Sequence, residues 1–154
     1  MLVYRISRPE FAEDLTGEGA RLYGGRWNKK GMRMLYTSQS ASLALLEILA
    51  YFPQGKILMP LSLITISIQS DLIFEPEISV LPSNWQSFPC PAESQEFGSG
   101  FLKEGKYAIA RLPSVLMPKD FNYLINPEHK GISAMEILQV ETFLPDNRLF
   151  PQGA

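Results

Sequence analysis

A chain of 154 residues, 45% hydrophobic and 19% charged, has the balance of one folded domain with a real core. Its 14 Lys and Arg against 16 Asp and Glu leave a net charge of −2, which argues against nucleic acid as a direct partner, because phosphate binding draws on a basic excess. One cysteine and one histidine exclude an intramolecular disulfide, a thiolate cluster and a histidine-rich metal site.

No stretch approaches the roughly 20 apolar residues that span a bilayer, so no membrane association is expected. The opening Met-Leu-Val-Tyr-Arg-Ile-Ser-Arg-Pro has no apolar run of signal-peptide length, and the cytoplasm is the expected address. Residues 2–6 read as a short strand ended by Pro9. Residues 11–31 hold Gly17, Gly19, Gly24, Gly25 and Gly31 and read as a loop, long enough to suggest a function. Arg5, Arg8, Arg21, Arg26, Lys29, Lys30 and Arg33 crowd the same part of the chain and supply material for a local cationic pocket.

A strand over 32–37 carries Leu35 and Tyr36. The clearest helix spans 38–52, capped by Ser38 or Ser40 and stopped by Pro53 and Gly55. Residues 61–69 alternate as a strand, with Ile64, Ile66 and Ile68 on one face and Thr65 and Ser67 on the other. Residues 71–100 are irregular and punctuated by Pro76, Pro82, Pro89 and Pro91, with one helical stretch over 93–102. Strands follow over 106–112 and 122–126, joined by a proline-bounded turn. The segment 132–143 fits both periods and is read as a closing strand. Several short strands with few helices predict one α+β domain over 1–154.

Glu47 is the informative residue. On a helix its neighbours three and four positions away are Leu43, Ala44, Ala50 and Tyr51, so it does not belong to a solvated polar stripe. A buried, unpaired carboxylate costs several kcal/mol, which calls for a cationic partner or a wet cleft. An exposed helix-forming glutamate or a structural ion pair accounts for the pattern equally well. The run Gly24-Gly25-Arg26-Trp27-Asn28 combines glycines that let backbone approach a ligand, a guanidinium suited to phosphate, and a ring that can stack. Spacing alone makes it an ordinary turn with a surface arginine. It is neither a Rossmann fingerprint nor a P-loop. Cys90 lies between Pro89 and Pro91 and reads as a spare thiol, and Ser114 lies in no nucleophile elbow.

Taken together, Tyr4-Arg5, the block Gly17-Glu18-Gly19-Ala20-Arg21-Leu22-Tyr23-Gly24-Gly25-Arg26-Trp27-Asn28, Leu35-Tyr36-Thr37 with Leu43-Ala44-Leu45-Leu46-Glu47, Leu112-Pro113-Ser114, and Asn122-Tyr123-Leu124-Ile125-Asn126-Pro127-Glu128-His129 resemble the RES domain. Asp146-Asn147-Arg148-Leu149 extends the match over nearly the whole chain. The one departure noted is Phe101, where many members carry tryptophan.

The resemblance implies a single compact domain with a mixed central sheet and an ADP-ribosyltransferase-like fold. It implies a toxin of a bacterial toxin–antitoxin pair, neutralised by a helix-turn-helix antitoxin of the Xre type, and leaves a homodimer open. It further implies that NAD is a substrate rather than a cofactor, cleaved by hydrolysis or by phosphorolysis with inorganic phosphate as co-substrate. Transfer of ADP-ribose to a protein is the alternative reaction, and a catalytically inactive nucleotide- or antitoxin-binding module is the competing class. The family's arginine, glutamate and serine fall on Arg26, Glu47 and Ser114, with Tyr36 beside them as catalytic. Arg5, Gly25, Trp27 and Asn126 are expected to bind the nucleotide. Arg26 is expected to clamp the pyrophosphate or pair with Glu47, Tyr36 and Trp27 to offer stacking faces, and Ser114 to orient Glu47 or the nicotinamide amide. No metal is expected.

Overall fold

Apolar runs of the chain become the central strands of a sheet that is buried on both faces. In the computed structural model, which describes residues 1–52, 59–69 and 71–150, β1 (Leu2–Ser7), β2 (Leu35–Ser38), β3 (Leu61–Ser67), β4 (Ile73–Phe74), β5 (Ile109–Pro113), β6 (Phe121–Ile125) and β7 (Glu136–Phe143) form one sheet. Its order is β4-β5-β6-β2-β1-β3-β7, with β4 and β5 parallel and every other pair antiparallel. The mixed α+β sheet expected from the sequence is the observed architecture.

Period-two alternation sends neighbouring side chains into different cores. On β5 and β6, Ile109, Tyr123 and Ile125 join Val3, Leu35, Ile64, Ile66 and Ile68 on one face. Ala110, Leu112 and Leu124 join Trp27, Met34, Trp85 and Phe101 on the other. Both faces are therefore covered, and these strands read as continuous apolar runs rather than alternating ones. Phe101 is buried and stacks on Phe74 at 6.3 Å between ring centroids, a packing role.

Among the described residues three α-helices cover the sheet: α1 (Glu18–Tyr23), α2 (Ala41–Tyr51) and α3 (Ala92–Glu104). Ser40, not Ser38, caps α2, its hydroxyl accepting from the Leu43 N–H at 3.1 Å. The predicted stop at Pro53 and Gly55 lies outside the described residues. Leu43 and Ala44 anchor α2 to the sheet, next to Ile6 and Leu61. The predicted loop over 11–31 contains α1, an element the sequence reading lacked. Gly17 and Gly24 bracket it, both with positive φ. The short β4 was also unforeseen. The closing segment divides into a 3-10 turn (Lys130–Ala134) and then β7.

Candidate active site

A cleft of about 320 Å³ opens over β1 and β2. Tyr4, Arg5 and Ile6 of β1 and Tyr36, Thr37 and Ser38 of β2 line it, together with Gly19, Ala20, Tyr23, Gly24 and Gly25 from α1 and its following turn. Ala44, Glu47, Ile48 and Tyr51 of α2 and Asn122 of β6 complete the lining.

Glu47 is half-buried here and is held by two neutral donors. Its Oε1 accepts from Ser114 Oγ at 2.7 Å and from Asn122 Nδ2 at 2.6 Å. Its Oε2 accepts no hydrogen bond among the described residues. Ser114 is buried where β5 ends, and its Oγ also accepts from the Leu116 and Met117 N–H groups at 3.1 and 3.2 Å. Its single proton is thereby directed at Glu47. The acid that looked stranded on an apolar helix is satisfied by side chains from strands remote in sequence.

The turn 24–28 supplies the second part. The Gly25 N–H bonds to the Asn28 carbonyl at 3.0 Å, and buried Asn28 donates from Nδ2 to the carbonyls of Ala20 (2.8 Å) and Met32 (3.0 Å). Tyr36 lines the cleft, but its hydroxyl is occupied. It donates to Asn28 Oδ1 at 2.7 Å and accepts from the Trp27 N–H at 3.1 Å. Burial pushes this phenol well above the ordinary tyrosine range, against the opposing Trp27 hydrogen bond, so the hydroxyl stays protonated. A Cβ on Gly25 would sit 2.5 Å from the Tyr36 hydroxyl and 2.9 Å from Asn28 Oδ1, which is why glycine is required there.

The basic residues divide sharply. Arg21 and Arg33 are spent on Glu18, at 2.5 and 2.6 Å, and Lys29 pairs with Glu96. Arg5 and Arg26 are instead held by carbonyl oxygens and form no ion pair among the described residues. Arg5 lines the cleft and donates to Phe11 O (3.1 Å) and Asp14 O (3.2 Å). Burial lowers its pKa, partly offset by Asp14, and a guanidinium so placed remains a cation at neutral pH. Arg26 donates from Nη1 to the carbonyls of Trp85 (2.8 Å) and Ser87 (2.9 Å).

Several expectations require correction. Arg26 forms no ion pair with Glu47: Ser114 and Asn122 already serve that carboxylate, and the 85–87 loop takes the guanidinium. Trp27 offers no ring to a ligand. It is 4% exposed, stacked on Trp85 at 6.3 Å and edge-on to Phe97 at 5.9 Å, and the apolar core claims it. Asn126 lies beyond the other end of β6 from Asn122. There its Oδ1 accepts from the Glu128 N–H at 3.1 Å, so it shapes a turn and does not line the cleft. The structure does bring Arg5, Gly25, Tyr36 and Glu47 to one cleft, with Ser114 behind Glu47.

Sequence reasoning missed Ser38, Tyr51 and the role of Asn122, and gave Tyr23 no task. Tyr23 and Tyr51 line the cleft while 78% and 73% exposed, so the accessible rings are these and not Trp27. Tyr51 stands four residues after Glu47 on α2, a spacing that puts both on one helix face and was open to reading. Ser38 and Asn122 meet only through strand pairing, which no local pattern reveals.

The mixed sheet, its helical cover and a cleft lined by one acid, Glu47, and one arginine, Arg5, define a single-sheet α+β protein with a candidate active site. The same fold is present in the crystal structure of the M. tuberculosis MbcT-MbcA toxin-antitoxin complex, with a TM-score of 0.77 over 92% of this chain and 83% of that one at 18% identity. The RES domain family model matches residues 2–146, and the chain belongs to that family. It is 36% identical over 151 residues to Toxin Res of Yersinia enterocolitica, covering 97% of this chain and 99% of that protein. It is 32% identical over 141 residues to the Prs ADP-ribosylating toxin of a Sphingobium species, covering 90% and 88%. Among the described residues no helix is long and apolar enough to cross a membrane, and no cluster of three or more His, Cys, Asp or Glu is arranged to hold a metal ion.

Proposed function

We propose that this chain is the toxin of a bacterial toxin–antitoxin pair and that it cleaves the nicotinamide–ribose bond of NAD, by hydrolysis or phosphorolysis. The observation that carries the reading is Glu47 itself, with one carboxylate oxygen tied to Ser114 and Asn122 and the other accepting no hydrogen bond among the described residues, in a cleft that also holds Arg5.

Breaking that bond sends its electron pair out with nicotinamide and leaves oxocarbenium charge on the ribose. A fixed carboxylate in a half-buried site stabilises such charge without reorganising. The Oε2 atom of Glu47 serves this role or holds a ribose hydroxyl. The acceptor oxygen, from water or phosphate, then bonds to the same carbon and gives up a proton if it carries one. Arg5 inside the cleft and Arg26 near it attract the diphosphate, and Tyr23 and Tyr51 supply ring faces. The resemblance of most of the chain to Toxin Res, and of its fold to a toxin solved with its antitoxin, supports a protein partner, for which an Xre-type helix-turn-helix antitoxin is the expected kind.

Nicotinamide release from NAD, followed with and without phosphate and with products identified, tests the reaction. Glu47→Gln keeps the shape and removes the charge, and is expected to lower turnover by about 10²-fold or more with the fold intact. Full activity in the folded variant would refute the assignment. One relative, the Prs ADP-ribosylating toxin, favours a second reading in which the acceptor is a protein. Mass spectrometry of a lysate incubated with labelled NAD separates the two, since only transfer leaves ADP-ribose on protein.

A further inference from the structure

The polar chain behind Glu47 runs one step further than the glutamate and serine. Ser38 on β2 and Asn122 on β6 are direct partners across an antiparallel pair, so their side chains rise from the same face of the sheet. The register at this point is fixed from both sides. Thr37 Oγ1 donates to the Tyr123 carbonyl at 2.7 Å, and the Phe121 N–H donates to Gln39 Oε1 at 2.9 Å. Within that frame Ser38 Oγ donates to Asn122 Oδ1 at 2.7 Å, and Asn122 Nδ2 donates to Glu47 Oε1 at 2.6 Å. The amide has one orientation that satisfies both neighbours, because a carboxylate needs a donor and the serine proton needs an acceptor.

We propose that Asn122 is a positioning residue for Glu47, and that Ser38 acts through Asn122 by fixing its amide. This rests on the reading of Glu47 as the working carboxylate. The effect is to make the two oxygens of Glu47 unequal. Oε1 is committed to Asn122 on β6 and Ser114 just past β5, which approach from different directions and together fix the plane of the carboxylate. Oε2 is left as the oxygen that meets substrate. An amide does this without bringing a charge, whereas an arginine or lysine in its place would cancel the charge that the reaction uses. Asn122 lines the cleft beside Glu47, so its loss also frees the glutamate to rotate into the space the amide held.

The test uses Asn122→Ala, Asn122→Asp and Ser38→Ala in the full chain, with folding checked by circular dichroism and melting temperature. In steady-state cleavage of NAD, Asn122→Ala is expected to lower kcat by about 10²-fold with KM nearly unchanged, as misplacement of a catalytic group does. Asn122→Asp, the same shape with the donor replaced by an acceptor, is expected to lose at least as much, which a purely packing role would not produce. Ser38→Ala is expected to lose less, and the double variant Ser38→Ala with Asn122→Ala no more than Asn122→Ala alone. Wild-type kcat in folded Asn122→Asp, or losses that multiply in the double variant, would overturn the proposal.

A second measurement does not depend on the substrate. The carboxyl carbon signal of Glu47 in protein labelled with 13C-glutamate, assigned through Glu47→Gln, is expected to move in Asn122→Ala and, by less, in Ser38→Ala. An unmoved signal in both would overturn the positioning role. A moved signal in a protein that releases no nicotinamide would leave the positioning role standing and discard the NAD reading alone.

Discussion

The cleft is lined from two sources that work differently. Along α2, β2 and β6 its polar atoms belong to side chains: the neutral donors Asn122 and Ser114 serve Glu47, and Ser38 serves Asn122. Along the turn 24–28 the tight fit is made by backbone: Gly25 approaches the Tyr36 hydroxyl, the Trp27 N–H bonds to it, and Asn28 gathers carbonyls from Ala20 and Met32. The first lining tunes a charge, and the second fixes a shape. Substitutions in the first should therefore show mainly in turnover, and those in the second mainly in stability.

The largest departure is expected where the backbone lining is braced from behind. Gly98 in α3 lies against Trp27 so closely that a Cβ there would fall 1.8 Å from the Trp27 carbonyl oxygen and 2.7 Å from its carbon. The obstacle is backbone, with no flexible side chain to give way. Gly98→Ala should force α3 away from the turn and cost about 3 kcal/mol, at the upper end for overpacking. Urea unfolding measures this. A midpoint equal to wild type would show that α3 does not brace the turn.

Tyr36→Phe sharpens the contrast with less disruption. It keeps the ring and removes the hydroxyl, stranding the Trp27 N–H and Asn28 Oδ1 on buried residues. The expected cost is about 2 kcal/mol of stability, because each orphaned group loses its partner without regaining water. If nicotinamide release instead collapses while the unfolding midpoint holds, Tyr36 belongs to the chemistry, and the division between the linings fails there.

How much of this was legible follows the same line. The helix over α2 was readable from a serine cap, Ser38 or Ser40, and an apolar run, and Glu47 stood out on it because its neighbours are apolar. β3 was readable from Ile64, Ile66 and Ile68 alternating with Thr65 and Ser67. The partners of Glu47 were less so: Ser114 came from resemblance, and Asn122 meets Glu47 only because β6 pairs with β2 in one register. Trp27 misled, since a tryptophan next to a glycine pair reads the same whether it faces a ligand or a core. The α1 helix was hidden because it is short, has no apolar stripe and is bracketed by glycines that otherwise signal a loop. Arg5 and Arg26 could not be separated from Arg33 and Lys29 until acids on other segments, Glu18 and Glu96, had been assigned to the latter two.

The smallest effect concerns the acid that neutralises two of those cations. Hydrogen bonding from Arg21, reinforced by the charges of Arg21 and Arg33, holds the Glu18 carboxyl below its ordinary value in the folded chain. As pH falls the unfolded chain therefore takes up this proton first. The stability contributed by Glu18 is present above the ordinary glutamate range and is lost as pH drops through the folded value. Glu18→Gln should accordingly lower the urea midpoint slightly at neutral pH, with the difference fading as pH falls through the lowered folded value of the Glu18 carboxyl. Because the pair is solvent-accessible, the neutral-pH difference should also shrink in high salt. A difference that persists at low pH would mean that Glu18 supports α1 by packing or helix capping rather than by charge, and that this lining, too, depends on more than shape.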